Sequence, residues 1–379
     1  MARVKECPED FYVREIKHLD FEQKGRFAYF LMRKKNLSTL EAVREVAKRL
    51  GVPEKRIGFG GLKDKNSLSE QFISVDRPPE IKEFTEENLS LKFLGYGNRP
   101  VSLGDIEGNY FEITLRRIGD RKREFLKERI PFVKRFGFEN YFGEQRFGSV
   151  RYAGNFIVKY LLRNDYEGAV KEYLTSLKDR GRKKALLRAW GRWKEFLRIM
   201  PQSSHPEINL VKSLMKGKSY EEALSGLPKS IKLMFLFAYQ SYLWNRYLNT
   251  FVVRYFKHCS VPFLKWRLSF IKEVDEGLFE EIRELEIPFL GTEFKPKNKK
   301  VELIIKEVLR EEGINEEVIR ARRIGVKLFT DGVRKAFAFP QGLRVLEEGR
   351  GYVKLSFTLP PGSYATVLLR KLLCSSLDY

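Results

Sequence analysis

Alternation dominates the start of the chain. Phe11, Val13 and Glu15 share one face of a two-residue period, and Phe27 to Met32 is a nearly unbroken apolar run, so both segments read as strands. Ser38, followed three residues later by Glu41, is a capping box for a helix whose Leu40, Val43, Ala47 and Leu50 form one stripe before Gly51 stops it. A short strand near Arg56 to Phe59, a glycine turn, the segment LKDKN and an extended run from Gln71 to Val75 come next. Lys63 and Asp64 therefore sit in a loop between strands. Farther on, Phe111, Ile113 and Leu115 alternate with Tyr110, Glu112, Thr114 and Arg116, the mark of a strand with one buried face.

From Arg151 to about Ala336 the pattern turns largely helical and basic, with a long apolar-rich stretch from Ser230 to Phe256 and a lysine-rich run from Lys295 to Lys300. The end returns to a period of two at Val353, Leu355, Phe357 and Leu359, and Pro360 to Ser363 then turn the chain into a helix running through Leu373. If that last strand joins the first sheet, the helical middle is an insertion. The expected organisation is an α/β (α+β) chain with a discontinuous sheet-bearing domain, residues 1–150 and 337–379, and an inserted domain, residues 151–336.

Charge narrows the partner. Lys and Arg total 72 against 50 Asp and Glu, a formal charge of +22, which favours a polyanion. Hydrophobic residues at 43% and aromatics at 13% are too plentiful for a disordered basic tail, so the charge lies on a folded body, as suits nucleic-acid binding. The longest apolar stretch, Leu233 to Trp244, is broken by Gln240 and Ser241 and is too short to span a bilayer, so no membrane association is expected. The first residues carry no apolar signal core, and the expected location is the cytoplasm.

Several chemistries lose support. No phosphate-binding G-x-x-x-x-G-K-[ST] occurs, and the glycine clusters at Gly58 and Gly95 fail G-x-G-x-x-G because Lys63 and Pro100 take the third glycine's place. No nucleotide cofactor is expected. The three histidines, His18, His205 and His258, form no metal-ligand spacing, and the three cysteines form no C-x-x-C knuckle, so no metal is expected either. Carboxylate, lysine, aromatic and amide chemistry remain.

Four segments concentrate such residues: KECPEDF (Lys5 to Phe11), GGLKDKNSLSEQF (Gly60 to Phe72), ENYFGEQRFG (Glu139 to Gly148) and LPPGSYATVLLR (Leu359 to Arg370). With LGDIEGNYF (Leu103 to Phe111) and AYQSYLWNRYL (Ala238 to Leu248), and in this order, they resemble the TruD family of pseudouridine synthases over most of the chain. The resemblance implies a cofactor-independent isomerase that converts a uridine of tRNA, U13 of the D arm, to pseudouridine. It implies a catalytic domain with a mixed, largely antiparallel sheet, interrupted by an RNA-binding helical domain. By the same resemblance Asp64 is the catalytic carboxylate, Lys5 its ion-pair partner, Phe142 the ring under the target base and Asn140 an amide contact, while Phe11 and Tyr364 are further substrate contacts. Tyr364 stands where the family commonly has Phe. Lys63 and Lys65 are expected to meet phosphates. Basic clusters at Arg33 to Lys35, Arg121 to Arg123, Arg180 to Lys184, Lys295 to Lys300 and Arg320 to Arg323 are candidates for the tRNA backbone track. A monomer is expected. The alternatives are a non-catalytic RNA-binding protein using the same cleft, and a methyltransferase, for which the chain lacks a glycine fingerprint.

Overall fold

A computed structural model describes residues 3–78, 80–148, 150, 155–201 and 205–374. It divides into two compact units: one takes the chain up to Phe138 and again from Ala338, and the other takes Glu139–Phe337. The first break thus falls before the NYFG segment rather than at residue 150, which puts Asn140 and Phe142 in the second unit.

The first unit is built on a sheet of ten described strands. Its main strands are β1 (Phe11–Ile16), β2 (Phe27–Lys35), β3 (Leu68–Asp76), β4 (Leu89–Gly97), β5 (Gly108–Arg116), β6 (Gln341–Gly349) and β7 (Tyr352–Leu359). Their order is β6-β7-β5-β1-β3-β2-β4, with Phe84–Thr85 at the far edge. β1 and β3 run parallel; the other pairs along this path are antiparallel. The chain's return is therefore part of the sheet: β7 pairs with β5 from Tyr352 opposite Arg116 to Leu359 opposite Asn109.

Helix α1 (Thr39–Leu50) starts on the expected capping box and ends at Gly51, whose φ of 64° is the left-handed conformation that glycine adopts without a Cβ clash. Its buried stripe is Thr39, Ala42, Val43, Val46, Ala47 and Leu50, packed on Ala28, Phe30, Met32, Ile73, Val75, Leu89 and Leu91 of the sheet. Each large apolar side chain removed from water here contributes about 1.5–3 kcal/mol. Leu40, expected in the stripe, is 52% exposed. The cap sets the phase one residue earlier, so Thr39 faces the sheet and Leu40 is rotated about 100° away. On the other strands, Phe11, Phe111 and Phe357 form an aromatic ladder, with centroids 6.0 Å and 5.4 Å apart in turn.

The second unit is mainly helical and also carries a hairpin, Lys257–Phe263 with Trp266–Glu273. Its longest helix, Lys229–Tyr255, has 27 residues and buries Phe235, Tyr239, Leu243, Trp244, Tyr247 and Phe251 along its length. Among the described residues, no helix is long and apolar enough to cross a membrane.

Candidate active site

In the first unit the loop between Phe59 and Leu68 carries Asp64, and the chain's start carries Lys5 to it. The Lys5 ammonium pairs with the Asp64 carboxylate, each side chain being 22% exposed, although 59 residues separate them in sequence. The same ammonium lies 3.9 Å from the centre of the Phe11 ring, which is buried in the sheet. Lys5 has a φ of 67°, an uncommon conformation for a residue with a Cβ, held by what surrounds it. Two residues on, the Cys7 N–H donates to the buried Asp10 carboxylate, and both Asp10 oxygens accept from Arg116 Nε at 2.9 Å. Burial pulls the Asp10 carboxyl up, but the Arg116 and Cys7 bonds outweigh it and hold the group below its usual range. Asp10, the last carboxylate of the KECPED segment, thus anchors the turn that delivers Lys5.

The Asp64 loop is tied down on three sides. The Asp64 main-chain oxygen accepts from Lys34 Nζ at 2.8 Å and from Ser67 Oγ at 2.8 Å. The Lys63 N–H donates to Thr39 Oγ1 of α1 at 2.9 Å, and that hydroxyl donates to Gln71 Oε1 of β3 at 3.0 Å. The Lys63 ammonium is not turned towards solvent: its side chain is 7% exposed, and Nζ donates to Glu15 Oε1 at 2.5 Å, a carboxylate 0% exposed. Glu15 Oε2 accepts from the Phe72 N–H at 3.0 Å, so both carboxylate oxygens are used. Gly60 permits this packing, since a Cβ there would come within 2.5 Å of Ile106 and 3.2 Å of Glu15. Lys65 is the exposed lysine of the pair flanking Asp64; it meets Glu41 Oε1 at 2.7 Å, and that ammonium, with Ser38, holds the Glu41 carboxyl down at about 2.

The second unit holds the NYFG segment with equal care. The Asn140 N–H donates to Ala336 O at 2.8 Å, and its side-chain Nδ2 donates to Lys335 O at 3.1 Å. Arg334 donates to the Asn140 main-chain oxygen and to Oδ1, at 2.9 Å and 2.8 Å, so both ends of the amide are engaged within the unit. Phe142 is 6% exposed. Its ring has the Arg334 guanidinium carbon 4.2 Å from its centre and the Trp244 ring nearly at right angles to it, the two ring centres 5.6 Å apart. Asn245 grips its backbone from both sides, accepting from the Phe142 N–H at 2.8 Å and donating to the Phe142 oxygen at 3.0 Å. Other residues of the same helix hold neighbouring segments: Gln240 donates to Leu290 O, Trp244 to Ile287 O, and Ser241 accepts from Arg146. That gives AYQSYLWNRYL a physical reason: one polar stripe on an otherwise apolar helix positions the NYFG loop.

Tyr364, half-buried in the first unit, is the N-cap of the last helix, Ala365–Leu373. Strand register places Leu359 opposite Asn109, which is itself opposite Glu15, so the LPPGSY turn leaves the sheet at the Glu15 end of β1. The basic clusters separate sharply. Lys34 is 0% exposed, and Lys35 pairs with Glu9. Arg123 meets Asp120 and Glu348, and Arg320 meets Glu316. Arg180, Arg182, Lys184 and Arg188, on the helix Arg180–Arg188, are exposed, and none makes an ion pair with another described residue. Sequence reasoning missed Lys34, Glu15, Arg334 and Asn245. For the first two the register was a usable signal, because each continues the buried phase of its strand.

The tRNA pseudouridine synthase D (TruD) family model matches residues 1–262 and 265–372. The tRNA pseudouridine synthase D of Aquifex aeolicus is 56% identical over 378 residues, covering 98% of either chain. The crystal structure of a candidate tRNA pseudouridine synthase D (TruD) from Methanosarcina mazei superposes with a TM-score of 0.72 at 25% identity, covering 98% of this chain and 93% of that one. With a match that runs through all six sequence segments and a shared fold, the chain belongs to the TruD family of tRNA pseudouridine synthases.

Proposed function

We propose that the chain isomerises U13 in the D arm of tRNA, with Asp64 as the catalytic carboxylate. In the reaction the bond from ribose C1′ to N1 of uracil breaks, the base turns, and a bond from C1′ to C5 forms. The proton displaced from C5 is lost and N1 gains one. The composition of the nucleoside does not change, so neither a redox partner nor ATP is consumed. A carboxylate that attacks the sugar or takes its proton must be anionic and held still. The observation that carries this reading is the Lys5–Asp64 ion pair, largely shielded from water on a loop whose backbone is hydrogen-bonded from below.

Extruding a base from a folded RNA costs a few kcal/mol, which an aromatic face and cationic contacts offset. Phe142, backed by Arg334, is the proposed ring; Asn140, Phe11 and Tyr364 complete the proposed contacts, and Lys65 rather than Lys63 is the proposed phosphate partner because its head group reaches solvent. The test is to treat unmodified tRNA with the protein and map new pseudouridines by carbodiimide-dependent reverse-transcription stops. A single new stop at position 13 is expected. Stops elsewhere would overturn the target, and their absence would overturn the reaction.

A further inference from the structure

Beneath the Asp64 loop lies a buried cation that the proposed reaction does not use. Lys34 sits on β2 in the buried phase of Ala28, Phe30 and Met32, and no part of it is exposed. Its ammonium donates to Leu37 O at 2.6 Å and to Asp64 O at 2.8 Å. A lysine in an apolar interior is costly unless its charge does something, and here it is spent on two carbonyls. One of them belongs to the proposed catalytic residue itself.

We propose that Lys34 is a positioning residue whose positive charge, and not merely its packing, fixes the Asp64 main chain in the geometry that turnover requires; this rests on the reading of Asp64 as the catalytic carboxylate. A charged donor makes a hydrogen bond roughly twice as strong as a neutral one. Losing the proton would leave an amine that still fills the space and holds the loop less tightly.

The site makes that loss accessible. Burial brings the Lys34 ammonium down to about 8; the Asp64 and Glu41 carboxylates favour the proton, and the Lys63 charge opposes it. The signs for function and stability are then opposite. Below pH 8 both the folded and unfolded chains carry the proton. Between about 8 and the ordinary value of 10.5 the folded chain has released it and the unfolded chain has not, so this group makes the fold more stable as pH rises. Turnover should fall over the same interval. A merely structural lysine would not separate the two.

The experiment is single-turnover pseudouridine formation in tRNA from pH 6.5 to 9.5 for the wild type, Lys34→Met and Lys34→Gln, with tRNA affinity and urea unfolding measured alongside. In the wild type the rate should fall about tenfold per pH unit above pH 8 while resistance to urea does not fall. Lys34→Met should be slower by at least about tenfold at pH 7, lack the fall above pH 8, and bind tRNA within about twofold of wild type. Lys34→Gln keeps two N–H donors without the charge and should behave like Lys34→Met. Either variant turning over at the wild-type rate overturns the proposal, as does a variant that keeps the alkaline fall. If neither variant folds, a wild-type rate that stays flat to pH 9.5 overturns it. Asp64→Asn is run in parallel: activity there refutes the reading of Asp64, whereas an inactive Asp64→Asn beside a fully active Lys34→Met refutes this inference alone.

Discussion

Replacing Glu15 by glutamine would leave the Lys63 ammonium in a buried site without the carboxylate it pairs with. In the native structure one carboxylate oxygen takes the Lys63 ammonium at 2.5 Å and the other takes the Phe72 N–H at 3.0 Å. An amide has a single acceptor oxygen and no charge, so one of the two donors must lose its partner and the Lys63 ammonium loses the carboxylate it is paired with. Breaking one side of a buried pair costs about 3–5 kcal/mol, because the surviving charge keeps its desolvation penalty. For a unit of this size each kcal/mol moves the melting temperature by roughly 2–4 °C, so Glu15→Gln should melt roughly 6–20 °C lower. Circular dichroism on heating, with urea titration at 25 °C, measures both. The paired change Glu15→Leu with Lys63→Met removes the uncompensated charge and should recover most of the loss. A Glu15→Gln protein within about 1 kcal/mol of wild type would refute the reasoning, as it would mean that water reaches Lys63.

The second unit yields two further predictions. Asn245→Leu strips the Phe142 N–H and oxygen of their partners, about 1–3 kcal/mol for each buried group left unpaired; together with Phe142→Ala, about 1–3 kcal/mol in base positioning, it should slow single-turnover catalysis more than it weakens tRNA binding. Changing Arg180, Lys184 and Arg188 to alanine should weaken tRNA binding and flatten its salt dependence by up to about one unit of slope for each phosphate that is no longer neutralised, read from filter binding across 50–200 mM salt; an unchanged slope would remove this helix from the RNA track.

Much of the fold is legible because its signals are local. The capping box at Ser38 and Glu41, the stop at Gly51 and the alternation along Val353 to Leu359 each depend on residues a few positions apart, and each appears in the structure as read. The site is less legible because its partners are distant. Lys34 looks like part of a solvated Arg-Lys-Lys run until the loop at Asp64, 30 residues away, brings the carbonyl that accepts from it. Glu15 likewise faces the interior by register, yet nothing near it in sequence announces Lys63, 48 residues on. Lys63 was expected to face phosphate for the same reason: a loop lysine is usually solvated, and its burial follows from tertiary packing. Asn245 hides within a largely apolar helix, where a polar residue reads as an interruption and not as the clamp on Phe142.

The central claim is that one ionised side chain, Asp64, carries the isomerisation. The direct measurement is tritium release from tRNA labelled at C5 of uridine, under single-turnover conditions, for the wild type and Asp64→Asn, with tRNA affinity and melting temperature recorded for both. The account predicts that Asp64→Asn folds and binds tRNA as the wild type does and releases no tritium. Release at the wild-type rate by Asp64→Asn would contradict it.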